Sequence, residues 1–251
     1  MILTRAPGTQ LACAQLTHLE RVPINVALAE MQHQRYCATL SRLIANVQTL
    51  PALIEFPDGV FVEDVLISLP ELSILCRPGA ISRRDEVQAI EEYLPTDRPA
   101  IRVEPPATID GGDVLVIGKK IFIGQSSRTN NAAIQSVAQI VAPFGYSVTA
   151  VKVTGALHLK TAVTALKDDL LLMNARWIDA SVFADRQRIC VADHEPFAAN
   201  ALNIAGTIFV QSAHPDTAAA INAAGFDVQF IDISEFAKVE AGLTCMSVLI
   251  Q

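Results

Sequence analysis

This sequence has little charge, few aromatic residues and no long apolar run. Only 18% of its 251 residues are charged and 6% are aromatic, while 51% are hydrophobic. Globular domains carry about 25% charged residues, so this apolar composition excludes an intrinsically disordered chain. No apolar segment approaches the roughly 18 residues that a membrane-spanning helix needs. The N-terminus lacks a basic region followed by an apolar stretch, so we expect no signal peptide.

Positive charge is also scarce. The chain has 26 Asp and Glu against 19 Lys and Arg, which gives a formal net charge of −7 and a pI near 5.2. The lysines and arginines form no cluster, which argues against nucleic acid or an anionic membrane as a partner. An acidic protein is better suited to a cationic ligand.

Cysteine pairs are absent as well. The five cysteines are scattered and include no CxxC motif, which indicates reduced thiols in a cytoplasmic compartment. We therefore expect no disulfide framework, no structural metal site and no cofactor. These cysteines are Cys13, Cys37, Cys76, Cys190 and Cys245.

Hydrophobic periodicity alternates between the helical and the strand pattern along the chain. The clearest helix is predicted over residues 25–47, with Asn25 as its N-cap. Gly-containing turns between apolar strands predict hairpins as well. Shorter helices are predicted over 84–94, 130–142 and 215–224, and hairpins over 112–124 and 201–210.

A polar residue followed by an apolar strand recurs at intervals of roughly 40 to 50 residues. This pattern indicates either a repeat architecture closed on itself or ordinary α/β alternation whose spacing is regular by chance. No Pro- or Ser-rich linker interrupts the chain, so we expect a single domain over residues 1–251. The recurrences begin at Asp64, Asp113, Thr161, Asn200 and Cys245.

Acidic residues cluster at two of these strand starts. Glu63 and Asp64 are adjacent, so in a strand they would face opposite sides and one would be solvated. Asp110 and Asp113 bracket two glycines, which permits either a tight turn or a close approach of backbone or ligand. Two acidic strand starts in one chain favour a pocket for a cation.

His158 and Cys245 each precede a predicted strand. The commoner interpretation of both is a buried core residue. A thiol at a strand start is also positioned like a nucleophile, and it would reach His158 if the units close into a ring. Arg83 and Arg128 lie in loops, either as solvated side chains or as a clamp for a carboxylate.

Several motifs together carry a resemblance to a known family over nearly the whole chain. They are Phe61-Val-Glu-Asp64, Arg77-Pro-Gly, Ser82-Arg-Arg84, Asp110-Gly-Gly-Asp113, Arg128-Thr-Asn130, Leu157-His-Leu-Lys160, Ala198-Ala-Asn200 and Leu243-Thr-Cys245. In order and spacing they resemble the dimethylarginine dimethylaminohydrolase family of the pentein (guanidino-modifying) superfamily. The resemblance implies a five-bladed αβ propeller of ββαβ units.

The resemblance also implies an activity, the hydrolysis of Nω-methylated L-arginine to L-citrulline and methylamine or dimethylamine. Cys245 would be the nucleophile that forms a thiouronium intermediate, and His158 would act first as acid and then as base. Asp64 and Asp110 would hold the guanidinium nitrogens, with Glu63 nearby. Because these acids disfavour a thiolate, we expect the bound cation to help create it.

The remaining site residues would bind the amino-acid end of the substrate. The resemblance assigns Arg83 and Arg128 to the α-carboxylate, and Asp58 and the Val239 carbonyl to the α-amine. Phe61 and Leu19 complete the set, the latter as the contact from a lid segment over about residues 7–22.

Three alternatives remain open at this point. Arginine and agmatine deiminases of the same superfamily place an Asp two residues after the His, where this chain has Lys160. A Lys there favours methylated substrates, whereas Glu240 stands where the family pattern has Asp. Non-catalytic penteins that bind the ribosome need no Cys/His pair with acids. Zinc capture by Cys245 and His158 would lack the further ligands of a structural site. A homodimer is compatible with outward-facing helices, but no helical stripe is apolar enough to argue for one.

Overall fold

The computed structural model describes residues 1–250, and its strands form five sheets of three strands each. In each sheet the middle strand is antiparallel to the inner strand and parallel to the outer one. The strands are β1 (Ile2–Arg5), β2 (Val47–Leu50), β3 (Leu66–Ser68), β4 (Ser73–Leu75), β5 (Ala100–Arg102), β6 (Val114–Ile117), β7 (Lys120–Gln125), β8 (Ser147–Lys152), β9 (Val163–Lys167), β10 (Leu170–Met173), β11 (Gln187–Cys190), β12 (Leu202–Ile204), β13 (Thr207–Gln211), β14 (Asp227–Ile231) and β15 (Ser247–Leu249).

Both ends of the chain meet in one sheet, which closes the ring. β15 is the inner strand of this sheet and pairs with β1, so that Leu3 lies opposite Val248. The N-terminal amine also donates a hydrogen bond to the Ile250 carbonyl at 2.9 Å. The other sheets are β3-β4-β5, β6-β7-β8, β9-β10-β11 and β12-β13-β14. This architecture confirms the five-bladed αβ propeller of ββαβ units and excludes an open α/β sheet.

The hydrophobic core is divided into five clusters, each of which joins two neighbouring sheets. Leu3 and Leu75 meet in one cluster, for example, and Leu172 and Ile208 meet in another. The largest surrounds Tyr36, which is fully buried and donates its hydroxyl to the Leu243 carbonyl at 2.9 Å. The middle strands pack apolar side chains on both faces of each sheet, so they read as short, mostly apolar runs such as Leu170–Met173.

The helices lie in the connections between strands. α1 begins after Asn25, whose side chain accepts from the Leu28 N–H as predicted, but it ends at Ser41 rather than at residue 47. Val47 fits the helical stripe, yet it begins β2 because this segment pairs with β1 at the ring closure. The helix predicted over 84–94 is instead the end of a 3-10 turn, Ile81–Val87, followed by the four-residue helix Gln88–Glu91. The helices are α1 (Val26–Ser41), α2 (Gln88–Glu91), α3 (Asn131–Val141), α4 (Leu159–Ala162), α5 (Pro215–Ala223) and α6 (Ser234–Ala237). Within residues 1–250, none of these is long and apolar enough to cross a membrane.

Single helical turns precede four of the five inner strands, namely β3, β6, β9 and β15, and lie at or next to the polar residues at their starts. Glu63 and Asp64 lie in the 3-10 turn Val62–Val65 and are both buried, so the prediction that a strand would leave one of them solvated was wrong. Another 3-10 turn, Gly111–Asp113, packs directly against the first. A Cβ on Gly111 would lie 2.0 Å from the Glu63 carbonyl oxygen, which shows why the chain has no side chain here.

We expect Gly111→Ala to lower the free energy of unfolding by more than about 2 kcal/mol, because one of the two turns must move. Gly118→Ala is the matched control. Its φ is +57° with no atom within 4 Å of an added Cβ, so it should cost only about 1 kcal/mol. Urea unfolding of both variants measures the difference, and equal losses would contradict the close approach of the two turns.

Candidate active site

The turns before three inner strands bring three predicted groups together. They are the nucleophilic thiol, the histidine that would act as acid and base, and one of the carboxylates that would bind the guanidinium. Cys245 lies in the turn Thr244–Met246, His158 directly precedes α4, and Asp64 lies in the turn before β3. All three line one small cavity of about 30 Å³, which we call the active-site cavity. Its walls also include Gln15, Asp58, Phe61, Arg83, Arg128, Leu157, Val239, Glu240 and Ala241. The structure therefore gathers most of the predicted site residues.

A larger cavity of about 250 Å³ runs along the ring axis between the inner strands. It contains neither Cys245 nor His158 among its walls, so we place the chemistry in the smaller cavity. Glu63 lies on the wall of this central cavity, where its Oε1 is 2.6 Å from the Lys160 Nζ. Its Oε2 accepts from the Thr244 hydroxyl at 2.7 Å. The structure thus turns Glu63 away from the active-site cavity.

Asp110 is fully buried and lies against His158. Its Oδ2 is 3.0 Å from His158 Nε2, and its Oδ1 accepts from the Gly79 N–H at 2.9 Å. Asp110 is not part of the wall of the active-site cavity within residues 1–250. This geometry fits an orienting partner of the imidazole better than the predicted contact with a guanidinium nitrogen.

The electrostatics of His158 favour its charged form. Burial alone lowers the pKa of His158, but the charge of Asp64 and the hydrogen bond to Asp110 outweigh it and raise the pKa to about 9. Asp64 Oδ1 lies 3.8 Å from Nδ1 of the same ring. Burial raises the pKa of the Asp110 carboxyl, but the hydrogen bond to His158 and the charge of its ring outweigh burial and lower this pKa. At neutral pH the imidazolium therefore holds a proton that it can give to a leaving group.

Cys245 is buried and lies in an acidic environment. Burial raises the pKa of its thiol strongly, and the charges of Glu63 and Asp64 raise it further. The Gly242 N–H, which lies 3.4 Å from Sγ, acts in the opposite sense but does not outweigh them. The resting nucleophile is thus a thiol rather than a thiolate.

Arg83 is held inside the protein by acids. Its Nη1 lies 2.5 Å from Asp64 Oδ2, and its Nη2 lies 2.8 Å from Glu86 Oε2. Nη2 also donates to the carbonyls of Asp58 and Phe61. Burial lowers the pKa of Arg83, but Glu86 and Asp64 outweigh it and raise the pKa. Most of its donors are therefore used within the protein, and Arg128 is the more open of the two predicted clamp residues.

The predicted lid segment is tied down over the active-site cavity. The Gln15 N–H donates to Asp58 Oδ1 at 3.0 Å. Glu240 Oε1 accepts from the backbone N–H groups of Thr17, His18 and Leu19 at 2.9, 2.5 and 2.6 Å. Leu19 itself is 37% exposed and lies outside the active-site cavity.

Some residues of the site escaped the sequence analysis. Glu86 lies three positions after Arg83, a helical spacing that could have identified their pair. Asn200 holds the loop of the nucleophile, since its Oδ1 accepts from the Thr244 N–H and its Nδ2 donates to the Thr244 hydroxyl, both at 3.1 Å. Nothing in the sequence indicated Gln15 as a site residue, because it contacts Asp58 through its backbone N–H and not through its side chain.

Asp64, Asp110 and His158 are also close enough to hold a metal ion. One ligand atom from each lies within 4.8 Å of the others. The His158 nitrogen that faces Asp110 is engaged in a hydrogen bond, so a metal would have to displace that proton. A site without a metal remains our prediction.

Comparisons with known proteins agree on one superfamily. A family model described as arginine deiminase matches residues 88–196. The N(G),N(G)-dimethylarginine dimethylaminohydrolase of Pseudomonas aeruginosa is 32% identical, over 98% of this chain and 97% of that protein. The enzyme of the same name from Streptomyces coelicolor is 35% identical, over 98% and 95%. A structure of the Pseudomonas protein, a cysteine-to-serine mutant complexed with citrulline, matches with a TM-score of 0.93 over 98% of this chain and 97% of that one.

The raised pKa of His158 predicts how stability depends on pH. A folded-state pKa of about 9 against an ordinary 6.5 contributes stability that is complete below pH 6.5 and lost as pH rises through about 9. The free energy of unfolding should therefore fall over this range, by at most ~1.4 kcal/mol per pH unit. Urea unfolding from pH 6 to 9.5 measures the slope.

His158→Gln should lack most of this slope, whereas His194→Gln should keep it. His194 is the matched control because its side chain is 69% exposed and its partner Asp216 is exposed as well. The same slope in wild type and His158→Gln would show that another group causes it.

Proposed function

This chain belongs to the dimethylarginine dimethylaminohydrolase family, and we propose that it hydrolyses Nω-methylated L-arginine to L-citrulline and methylamine or dimethylamine. One observation carries the proposal above the others: a buried thiol and a protonated imidazole share a small cavity with acidic side chains. A cationic guanidinium with a reactive carbon is the substrate class that such a cavity fits. Asymmetric dimethylarginine and monomethylarginine are the proposed substrates.

The acids supply the binding energy for the cationic end. We assign Asp64, on the cavity wall beside His158, to the guanidinium nitrogens. Hydrogen bonds to charged groups contribute roughly 1.5–3 kcal/mol each. Asp58 and the Val239 carbonyl are assigned to the α-amine, and Arg128 with Arg83 to the α-carboxylate. Phe61 lines the cavity between these two ends.

The first half of the reaction removes the amine. When the cation is bound, the Cys245 thiol releases its proton to solvent, and the thiolate attacks the guanidinium carbon to form a neutral tetrahedral adduct. His158 gives its proton to the substituted nitrogen, the C–N bond breaks, and the amine leaves uncharged. A thiouronium cation remains on Cys245.

The second half releases citrulline. Neutral His158 takes a proton from water while the hydroxyl group adds to the thiouronium carbon. The C–S bond then breaks, and the hydroxyl proton returns to sulfur. Asp110 holds the imidazole in position through both halves, and Asn200 holds the loop that carries Cys245.

Lys160 favours the hydrolysis of methylated arginines over the activity of an arginine or agmatine deiminase. Its ammonium is paired with Glu63 at the wall of the central cavity. It therefore offers no carboxylate anchor for an unsubstituted guanidinium end, which favours methylated substrates. On composition and charge we also propose a cytoplasmic location and a small-molecule substrate, with no nucleic acid or membrane as partner. A homodimer formed through the outward-facing helices stays a prediction.

The activity is tested by citrulline formation from asymmetric dimethylarginine, monomethylarginine, arginine and agmatine. We expect turnover of the two methylated substrates only. Cys245→Ser should lower kcat by at least about 10³-fold, because the covalent route is lost. Cys190→Ser is the matched control and should leave the rate unchanged, since this thiol is exposed and lies on the outer strand β11.

Turnover of arginine or agmatine in preference would keep the chemistry and overturn the assigned substrate. No turnover of any of the four by the wild-type protein would favour the non-catalytic binding role.

A further inference from the structure

A second enclosed space adjoins the active-site cavity, and we call it the side cavity. It has a volume of about 110 Å³ and is lined by Leu19, Thr161, Phe197, His214, Glu240 and Gly242, among others. Glu240 lines both cavities, and the Gly242 N–H is the group that points at Cys245 Sγ. The side cavity therefore lies directly behind the loop that carries the nucleophile.

A narrow gap lies between the two cavities. It has a volume of about 20 Å³ and shares Leu157 and Glu240 with the active-site cavity. It shares Thr161 and Phe197 with the side cavity. Leu157 directly precedes His158, the residue that would protonate the leaving group. A small molecule released beside His158 thus has a short way into the side cavity.

Two wall residues of the side cavity carry buried polar atoms without a hydrogen-bond partner in the described part of the chain. Among residues 1–250, Glu240 Oε2 and both ring nitrogens of His214 are buried without a hydrogen-bond partner. His214 is only 8% exposed. Buried polar atoms without partners are costly, and those in native proteins usually meet a water or a ligand. An occupant of the side cavity is therefore expected to be a hydrogen-bond donor.

The chemistry of the walls narrows the class of occupant. One oxygen of the Glu240 carboxylate, Oε1, already accepts three N–H groups of the lid segment. Its other oxygen, Oε2, is left to accept a hydrogen bond from an occupant of the side cavity. Burial lowers the pKa of His214 by more than the nearby Glu195 raises it, so the ring is neutral at neutral pH and one of its nitrogens is an acceptor. Leu19 and Phe197 present apolar surface for methyl groups. A small alkylammonium ion matches a carboxylate, a neutral imidazole and apolar walls together.

We propose that the side cavity receives the amine product, methylamine or dimethylamine, with its nitrogen between Glu240 and His214. This inference rests on the proposed function. In the net reaction a methylated guanidinium cation and water give neutral citrulline, one amine and one proton. The amine takes up that proton at neutral pH, so the positive charge of the substrate leaves with it. The carboxylate of Glu240 then lies on the path by which the positively charged amine leaves.

The side cavity also separates the two products. The thiouronium intermediate still occupies the active-site cavity when the amine is released, so the amine needs a path that does not pass the amino-acid end. Leu19 lines the side cavity and is 37% exposed, which places it between this space and solvent. The amine leaves past Leu19 while citrulline stays under the rest of the lid segment.

Binding of dimethylammonium to Cys245→Ser tests the proposal without turnover. Saturation-transfer NMR detects the ligand with the active-site cavity filled by saturating citrulline. A ligand of three non-hydrogen atoms gains little affinity, so we expect a Kd on the order of 1–10 mM. Tetramethylammonium, which has no N–H donor, should bind at least about 10-fold more weakly.

Matched variants assign the binding to the side cavity. His214→Phe fills the space and removes the acceptor, and should weaken dimethylammonium at least about 10-fold. His214→Gln retains a donor and an acceptor and should bind within about 3-fold of the parent. Gln187→Phe, at an exposed position at the start of β11, should have no effect. Thermal unfolding of each variant shows that the fold is kept.

Two results would overturn the proposal. Displacement of dimethylammonium by citrulline would place it in the active-site cavity. No saturable binding up to about 100 mM would mean that the side cavity holds only water. If citrulline itself fails to bind and the wild-type protein forms none, the proposed function fails instead.

Discussion

Buried charge around Asp64 is the constraint on which the rest of the site depends. Asp64 contacts Arg83 on one oxygen, while the other accepts from the Gly112 N–H at 3.1 Å and faces His158. Charges taken out of water are tolerated only when each meets an opposite charge or a donor. The 3-10 turns before β3 and β6 must therefore pack closely enough to make these contacts. The absence of a side chain at Gly111 and Gly112 follows from the same requirement.

The buried charge around Asp64 also influences whether the Cys245 sulfur is protonated. Asp64 helps to keep His158 charged. Burial, Glu63 and the same Asp64 make a thiolate at Cys245 unfavourable, so one carboxylate favours the acid and disfavours the nucleophile. A guanidinium bound beside Asp64 would bring positive charge next to the sulfur and reverse this balance. Thiol reactivity would then depend on the substrate itself, which limits side reactions of a thiolate in the free protein.

Periodicity left a closed repeat and ordinary α/β alternation open, and only the resemblance implied the propeller that the structure has. The motifs named most of the residues that line the active-site cavity. Several local structures were not predicted. Helix α1 begins where the Asn25 cap predicted, and α3 begins one residue after its predicted start with Asn130 as its N-cap, because capping is a local interaction. The end of α1 was missed because β2 exists only through pairing with β1. Likewise, the orientation of Glu63 is fixed by Lys160 and not by its own sequence neighbours.

Contacts between distant segments explain the remaining gaps. Glu240 was identified only as a departure from the family pattern, yet its carboxylate holds the backbone of the lid segment, more than 200 residues away in sequence. No periodicity or spacing encodes such a contact. The side cavity depends on the same contact, because Leu19 forms part of its wall.

The central claim is that substrate charge activates Cys245, and its alkylation rate tests this most directly. Labelling by neutral iodoacetamide would be followed by mass spectrometry of the peptide that contains Cys245, in the presence of either acetamidinium or uncharged acetamide. We expect slow labelling of Cys245 in the free protein, a clear acceleration with acetamidinium and no acceleration with acetamide. Equal rates under all three conditions would contradict it.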